Sequence, residues 1–178
     1  MQKTLEQYQN AMATCKKVFM TKNEDYGKAW RILRLSSLTD QMYIKARRIR
    51  SIEEQGEQKI EEGVIPEFIG LVNYGIMALM KLVRSEQELE QLDTAQLAHA
   101  YDELADSSYS LMQKKNHDYG EAWRNMRVSS LTDLILMKLL RIRQIEDNEG
   151  QTLDSEGLDA NYIDIINYSI FALIRLEE

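Results

Sequence analysis

The chain repeats itself, and that limits its folds more than any other feature. Lys22-Asn-Glu-Asp-Tyr-Gly-Lys-Ala-Trp-Arg31 returns as Lys115-Asn-His-Asp-Tyr-Gly-Glu-Ala-Trp-Arg124, an offset of 93. The match runs on through Ser36 to Asp40 and Ser129 to Asp133, so that 20 of the 32 positions from Lys22 to Glu53 are identical. After a one-residue insertion the offset becomes 94, and Asn73-Tyr74 pairs with Asn167-Tyr168. Chance does not give this density. The chain is a tandem duplication: 1–84 is the first copy, 85–93 a connecting segment and 94–178 the second copy, packed together as one compact domain. Two copies are too few for a solenoid, so paired halves related by pseudo-twofold symmetry are expected.

Each copy reads as three helices. The first spans about 4–21, where Leu5, Tyr8, Met12, Cys15, Val18 and Phe19 recur near a 3.6-residue period. Its counterpart spans about 94–114. An Asp-Tyr-Gly turn follows, with Gly27 or Gly120 free to take a positive φ after the helix end. A short helical piece then carries Trp30 or Trp123. Ser37 with Asp40, and Ser130 with Asp133, have the spacing of an imperfect capping box and predict the start of the second helix. That helix runs to about Glu54 or Asp147. Polar loops lead to a third helix, opened by Pro66 in the first copy and by an Asp159 N-cap in the second. Ser85 to Thr94 is either linker or more helix. No strand pattern survives, and one proline with eight glycines in 178 residues agrees with that. The expected fold class is all-α: duplicated three-helix units forming a pseudo-twofold helical bundle.

The composition narrows the function classes. A net charge of −7 disfavours general binding to a nucleic-acid backbone, although a local basic stripe could still hold a phosphate. A single cysteine excludes an intramolecular disulfide and a multi-cysteine zinc site. The polar N-terminal stretch lacks a signal-like apolar run, and the apolar run Phe68 to Met80 is short for a membrane span and contains Asn73. A soluble cytoplasmic protein, monomer or homodimer, is expected, with no membrane and no strong case for nucleic acid as partner.

The residues most able to carry chemistry lie on the third helices. Asp164 and Asn167 sit three apart within an otherwise apolar helix, Asn161-Tyr-Ile-Asp-Ile-Ile-Asn-Tyr. A carboxylate there needs a partner, because desolvating its charge is costly. The partner is either an Arg or Lys of a neighbouring helix or a Mg²⁺ ion, which prefers carboxylate oxygen and keeps waters that a phosphate can replace. The first copy has Gly70 in the place of Asp164 and Glu67 three residues earlier. Either that copy is degraded or Gly70 makes room for a ligand bound by the second. On the second helices, Lys45 with Arg48 and Lys138 with Arg141 are pairs three apart, able to clamp phosphates or to pair with acids. Arg50 and Arg143 are expected to pair with the acids one turn on. Asp25 and Asp118, in the repeated turn, either cap neighbouring amides or face a pocket as metal ligands. Trp30 and Trp123 either plug the core or stack on a base. No glycine-rich phosphate loop, zinc-protease motif or nucleophile elbow occurs.

Asp-Tyr-Gly-x-x-Trp, then Asp-x-x-x-x-Lys-x-x-Arg-Ile, then Asp-x-x-Asn-Tyr resembles the nucleotide modification associated domain 1 family, and both halves read as copies of it. The helical layout is in turn similar to the all-α NTP pyrophosphatases of the MazG-like and dimeric dUTPase type. Those enzymes use Glu-x-x-Glu and Glu-x-x-Asp motifs on successive helices to bind Mg²⁺ and cleave a nucleoside triphosphate between its α and β phosphates. The resemblance implies Mg²⁺-dependent nucleotide pyrophosphohydrolysis or an allied step, with a nucleotide or related phosphate compound as ligand. Asp164 looks like the Asp of the last motif, but Asn161 stands where its Glu belongs; Glu67 keeps the Glu place while Gly70 replaces the Asp. Lys138 and Arg141 lie where the preceding helix should carry acids. The implied site has Asp164, Asp118, Glu67 and Asp25 toward metal and Lys45, Arg48, Lys138 and Arg141 toward phosphate. Asn73, Tyr74, Asn167, Tyr168, Trp30 and Trp123 would face the substrate, and Asp164, Lys138 and Arg141 would carry catalysis. A non-catalytic nucleotide-binding protein and a structural helical protein are the alternatives.

Overall fold

The computed structural model describes residues 2–56, 60–150 and 157–178, with 60–62 as backbone only. Among these residues there are seven α-helices and no strand: α1 (Gln2–Tyr26), α2 (Leu35–Gln55), α3 (Ile60–Val83), α4 (Glu86–Gln91), α5 (Thr94–Tyr119), α6 (Val128–Asp147) and α7 (Leu158–Glu177). Short 3₁₀ turns at Ala29–Ile32 and Ala122–Asn125 carry the tryptophans. The chain is all-α, and α1–α3 and α5–α7 follow the same order of long helix, tryptophan turn, second helix, third helix. Of the polar loop expected between Glu54 and Pro66, 57–59 lie outside the described residues and 60–65 already belong to α3; of the loop expected between Asp147 and Asp159, 151–156 lie outside the described residues.

The third helices pack on each other at the centre, α2 lies on α3, α6 lies on α7, and α2 meets α6. This closes four helices around one core, and α1 and α5 each cross both α3 and α7. The two central helices are apolar nearly all round, as a helix buried by several neighbours must be. Phe68, Leu71, Val72 and Ile76 of α3 and Ile165, Ile166, Ile170 and Ala172 of α7 are fully buried. Gly63–Val83 is long and apolar enough to cross a membrane, but 61% of its apolar window is buried, as in a core helix. The α3–α7 crossing is close at Gly75, where a Cβ would stand 2.7 Å from Ile166 Cγ1. The matching residue on α7 is Ser169, also small and fully buried.

Contacts between the copies are returned at equivalent positions, as a pseudo-twofold arrangement would require. Thr39 of α2 donates to Glu146 of α6 at 2.8 Å, and Thr132 of α6 donates to Glu53 of α2 at 3.3 Å. Arg143 reaches Asp40 at 3.0 Å, and Arg50 approaches Asp133 at 4.0 Å. The acid one turn on, expected to hold both arginines, holds only one: Arg50 pairs with Glu54 at 3.3 Å, whereas Arg143 lies over the Tyr43 ring at 3.9 Å.

Several helix ends differ from the sequence expectation. The first helices run on through the Asp-Tyr pair, so Asp25 and Asp118 sit in a last helical turn and not in the loop. The glycines that follow do take positive φ, 60° at Gly27 and 63° at Gly120. Neither expected capping box opens the second helices; they start at Leu35 and Val128 after Arg34 and Arg127, with no side-chain cap. Pro66 lies inside α3, and Asp159 lies in the first turn of α7 with Gly157 as its N-cap. The connecting segment is ordered by two capping boxes in succession, Ser85 with Glu88 around α4 and Asp93 with Gln96 at the start of α5.

Candidate functional site

The two copies solve one problem of charge and volume in different ways. In the second copy Asp164, in the middle of α7, is closed off from solvent, with its side chain 4% exposed. Lys115, near the end of α5, donates to Oδ1 at 2.6 Å, and Lys138 of α6 stands 2.9 Å from Oδ2. Both carboxylate oxygens therefore rest on ammonium groups. This is the arrangement that makes a buried carboxylate tolerable. In the same copy Trp123 stacks on Phe171 at 4.3 Å with the rings 4° apart, and both are buried.

The first copy keeps both lysines and loses the acid. Lys22 replaces Lys115, Lys45 replaces Lys138, and Gly70 stands where Asp164 would be. Met77 stands where Phe171 would be, so Trp30 has no stacked ring and only tilts against Phe19 at 6.3 Å. A cavity of about 540 Å³ opens there, walled by Phe19, Trp30, Ile69, Gly70, Tyr74 and Met77, with Lys22 and Lys45 also in its lining. That volume lies within the range of small-molecule pockets, and its walls are largely apolar with a few placed polar groups. Lys45 leans across the missing side chain: a Cβ on Gly70 would meet its Cε at 2.7 Å.

Charge in the first copy has moved by one helical turn. Glu67 occupies the place of Asn161, and its carboxylate holds Lys45 at 3.2 Å and Arg48 at 2.9 Å. Lys22, an exposed residue in the lining of the cavity, makes no ion pair among the described residues. The indole N–H of Trp30 is buried without a hydrogen-bond partner, but so is that of Trp123, and this does not distinguish the open copy.

The asparagines at the floor are tied across the copies. Tyr101 of α5 donates to Asn73 Oδ1 at 2.7 Å, and Asn73 Nδ2 donates to the Cys15 carbonyl at 3.0 Å. The exchange is returned: Tyr8 of α1 donates to Asn167 Oδ1 at 2.6 Å, and Asn167 Nδ2 donates to the Ser108 carbonyl at 3.1 Å. Burial holds both tyrosine hydroxyls well above their ordinary pKa, so they serve as fixed donors. Burial likewise pushes the Cys15 thiol up to about 12, leaving it a neutral core group.

The structure thus brings together Asp164 with Lys138, Glu67 with Lys45 and Arg48, and Gly70, Tyr74, Asn73 and Trp30 around one cavity. Other candidates lie apart. Asp118 is 71% exposed and stands 3.3 Å from His117, and Asp25 is exposed at the other helix end. Arg141 reaches Gln144 at 3.3 Å. Tyr168 is half-buried on α7. Among the described residues no three of His, Cys, Asp and Glu converge as a metal-binding group. Asp164 is engaged by two lysines and Glu67 by a lysine and an arginine, so these acids as arranged do not fit a Mg²⁺ ion, which calls for anionic oxygens free to face it. Sequence reasoning missed Lys115 and Lys22. Their signal was present, since both open the repeated segment, one turn before the helix ends.

Comparison with known proteins bears on the same residues. The family model for nucleotide modification associated domain 1 matches twice, at residues 22–82 and 115–176. Each match begins at the cavity-type lysine and runs to the end of the third helix. No curated protein and no solved structure matches the chain. The chain is a member of the nucleotide modification associated domain 1 family and carries that domain in two copies.

Proposed function

We propose that the first copy is a receptor for an anionic, nucleotide-type small molecule, and that the second is the same pocket closed by its own side chains. The observation carrying this reading is the exchange of Asp164 for Gly70. In the closed copy a carboxylate lies between Lys115 and Lys138; in the open copy the equivalent Lys22 and Lys45 border the cavity, with Lys45 also held from one side by Glu67. Asp164 acts as an internal template for the anionic group of a ligand. A negative group placed there gains charge-assisted contacts to both ammonium groups. Phe19, Trp30 and Tyr74 supply aromatic surface for a base, and the family's link to nucleotides agrees with that choice.

Titration of the whole protein with nucleotides, followed by calorimetry, tests the proposal. Binding is expected for the wild type and should fall at least about tenfold in Lys45→Met or Lys22→Met, the loss of one charge-assisted contact. Unchanged affinity in both variants would overturn it. Mg²⁺-dependent pyrophosphohydrolysis is the finer reading that the MazG-like resemblance implies. Pyrophosphate release from nucleoside triphosphates, followed alongside, would move the proposal from a receptor to an enzyme; it would also require acids beyond those now held by Lys115, Lys138, Lys45 and Arg48.

A further inference from the structure

Resting on that reading, we infer that the ligand of the open copy carries a single terminal phosphate, so that its class is a nucleoside monophosphate and not a triphosphate. Charge is the first argument. A phosphate monoester carries about −1.5 to −2 at neutral pH, which two ammonium groups balance. Among the described residues Lys22 and Lys45 are the cations in the lining of the cavity, and Lys45 is shared with Glu67 at 3.2 Å, so any group of higher charge than one phosphate would lie still further from balance. One turn beyond Lys45 on α2 stands Arg48, which is already held by Glu67 at 2.9 Å.

Direction is the second argument. A phosphate chain growing from the Gly70 position along α2 would run toward the Glu67 carboxylate, which already spans Lys45 and Arg48. Like charge would repel it there. Growth the other way meets Phe19, Leu33 and Met77, walls that offer no hydrogen bonds to a charged oxygen, and Trp30, whose indole N–H is a neutral donor that brings no counter-charge. A triphosphate normally brings a divalent cation to offset its charge, and the described residues offer no cluster of acids to hold one. The second copy gives the same measure from inside the molecule: one carboxylate, with two oxygens, saturates the equivalent lysines.

The remaining cavity fits a flat apolar body. Trp30 and Tyr74 border it, and Lys45 lies 5.8 Å from the Tyr74 ring centre, so the charged end and the aromatic surface are adjacent. A nucleobase joined to one phosphate through a sugar has that distribution of charge and apolar surface.

Calorimetry on the whole chain with each of the four deoxynucleosides and their mono-, di- and triphosphates, with and without Mg²⁺, tests the inference. The monophosphate should bind about 10- to 100-fold more tightly than its nucleoside, and the triphosphate no more tightly than the monophosphate under either condition. In Gly70→Asp the new carboxylate should take the place of the phosphate, so that nucleoside and monophosphate bind alike. Lys22→Met should narrow the same difference without placing any new group in the cavity, which covers the case of a Gly70→Asp chain that does not fold. A triphosphate bound tenfold more tightly than the monophosphate would overturn the inference and leave the anion-receptor reading standing. Failure of every nucleotide to bind at millimolar concentration would overturn both.

Discussion

Asp164→Asn is the sharpest probe of the closed copy, because it removes one charge and almost no volume. Wild-type Asp164 offers its two oxygens to Lys115 at 2.6 Å and Lys138 at 2.9 Å. An amide keeps one oxygen for one lysine and turns an NH₂ toward the other, so two like charges face a neutral group. Breaking a buried ion pair by removing one partner costs about 3–5 kcal/mol. The lysine side chains here keep 40% and 21% of their exposure and recover part of their hydration. The expected cost is therefore about 2–3 kcal/mol. For a chain of this length that corresponds to a melting temperature lower by about 5–10 °C. Thermal unfolding followed by circular dichroism measures it. A double variant with Lys138→Met should recover part of the loss, since it removes one of the stranded cations. A melting temperature for Asp164→Asn at or above wild type would refute the reasoning. The carboxylate would then be no structural counter-ion, and its use as a template for the ligand of the first copy would fall with it.

Other outcomes follow from the same contacts. Tyr101→Phe and Tyr8→Phe should each cost about 1–3 kcal/mol by chemical denaturation, because each leaves a buried asparagine oxygen unpaired; only Tyr101→Phe, whose partner Asn73 lines the cavity, should also weaken nucleotide binding. Burial holds the Glu146 carboxyl above its ordinary pKa, against the lowering effect of the Thr39 hydrogen bond. A raised native pKa means the folded state binds the proton more readily, so this group's contribution to stability falls as pH rises from the ordinary carboxylate value through the raised one. Glu146→Gln should accordingly flatten that part of the pH–stability curve and leave neutral-pH stability unchanged or higher; a steeper curve would contradict this. Gly75→Ala should destabilise by about 1–3 kcal/mol despite alanine's better helix propensity, since its Cβ would press into Ile166 at the α3–α7 crossing. A gain in melting temperature would show that the crossing has slack.

The all-α class and the order of helices were legible because apolar period and repeat pointed the same way. Each third helix carries apolar residues on almost every side, and only a central position accommodates that. The buried state of Asp164 and its contact with Lys138 could be read from one acid in an apolar helix beside a repeated cation. Helix ends were less legible. Ser37 and Asp40 have the spacing of a cap, but Leu35 and Leu38 lie on the core face, and burying them starts α2 two residues before that serine. Pro66 suggested a first turn, yet α3 begins at Ile60 and the proline lies within it. The site itself was half visible. Gly70 stood out as an exchange, but the room it makes proved to lie within its own copy. Lys22 and Lys115 were visible only as repeated residues; the crossing of α5 over α7 brings Lys115 onto Asp164, while Lys22 stays exposed and borders the cavity of the first copy.

The Tyr–Asn exchange also bears on how the duplicated chain can change. Tyr101 belongs to the closed copy, and its hydroxyl fixes Asn73 at the floor of the open one; Tyr8 repays this at Asn167. A copy without an open pocket is thus a buttress for its sibling, and losing it would unseat the wall against which a ligand rests. A substitution at Tyr101 in the closed copy would therefore be felt at Asn73 in the lining of the other copy's cavity. The pocket of the second copy could be filled in, with Asp164, Trp123 and Phe171 occupying its space, only so long as the face that it turns toward its neighbour stayed as it was. On the proposed reading, duplication yields a division of labour in which one unit would receive a ligand and the other holds it in shape.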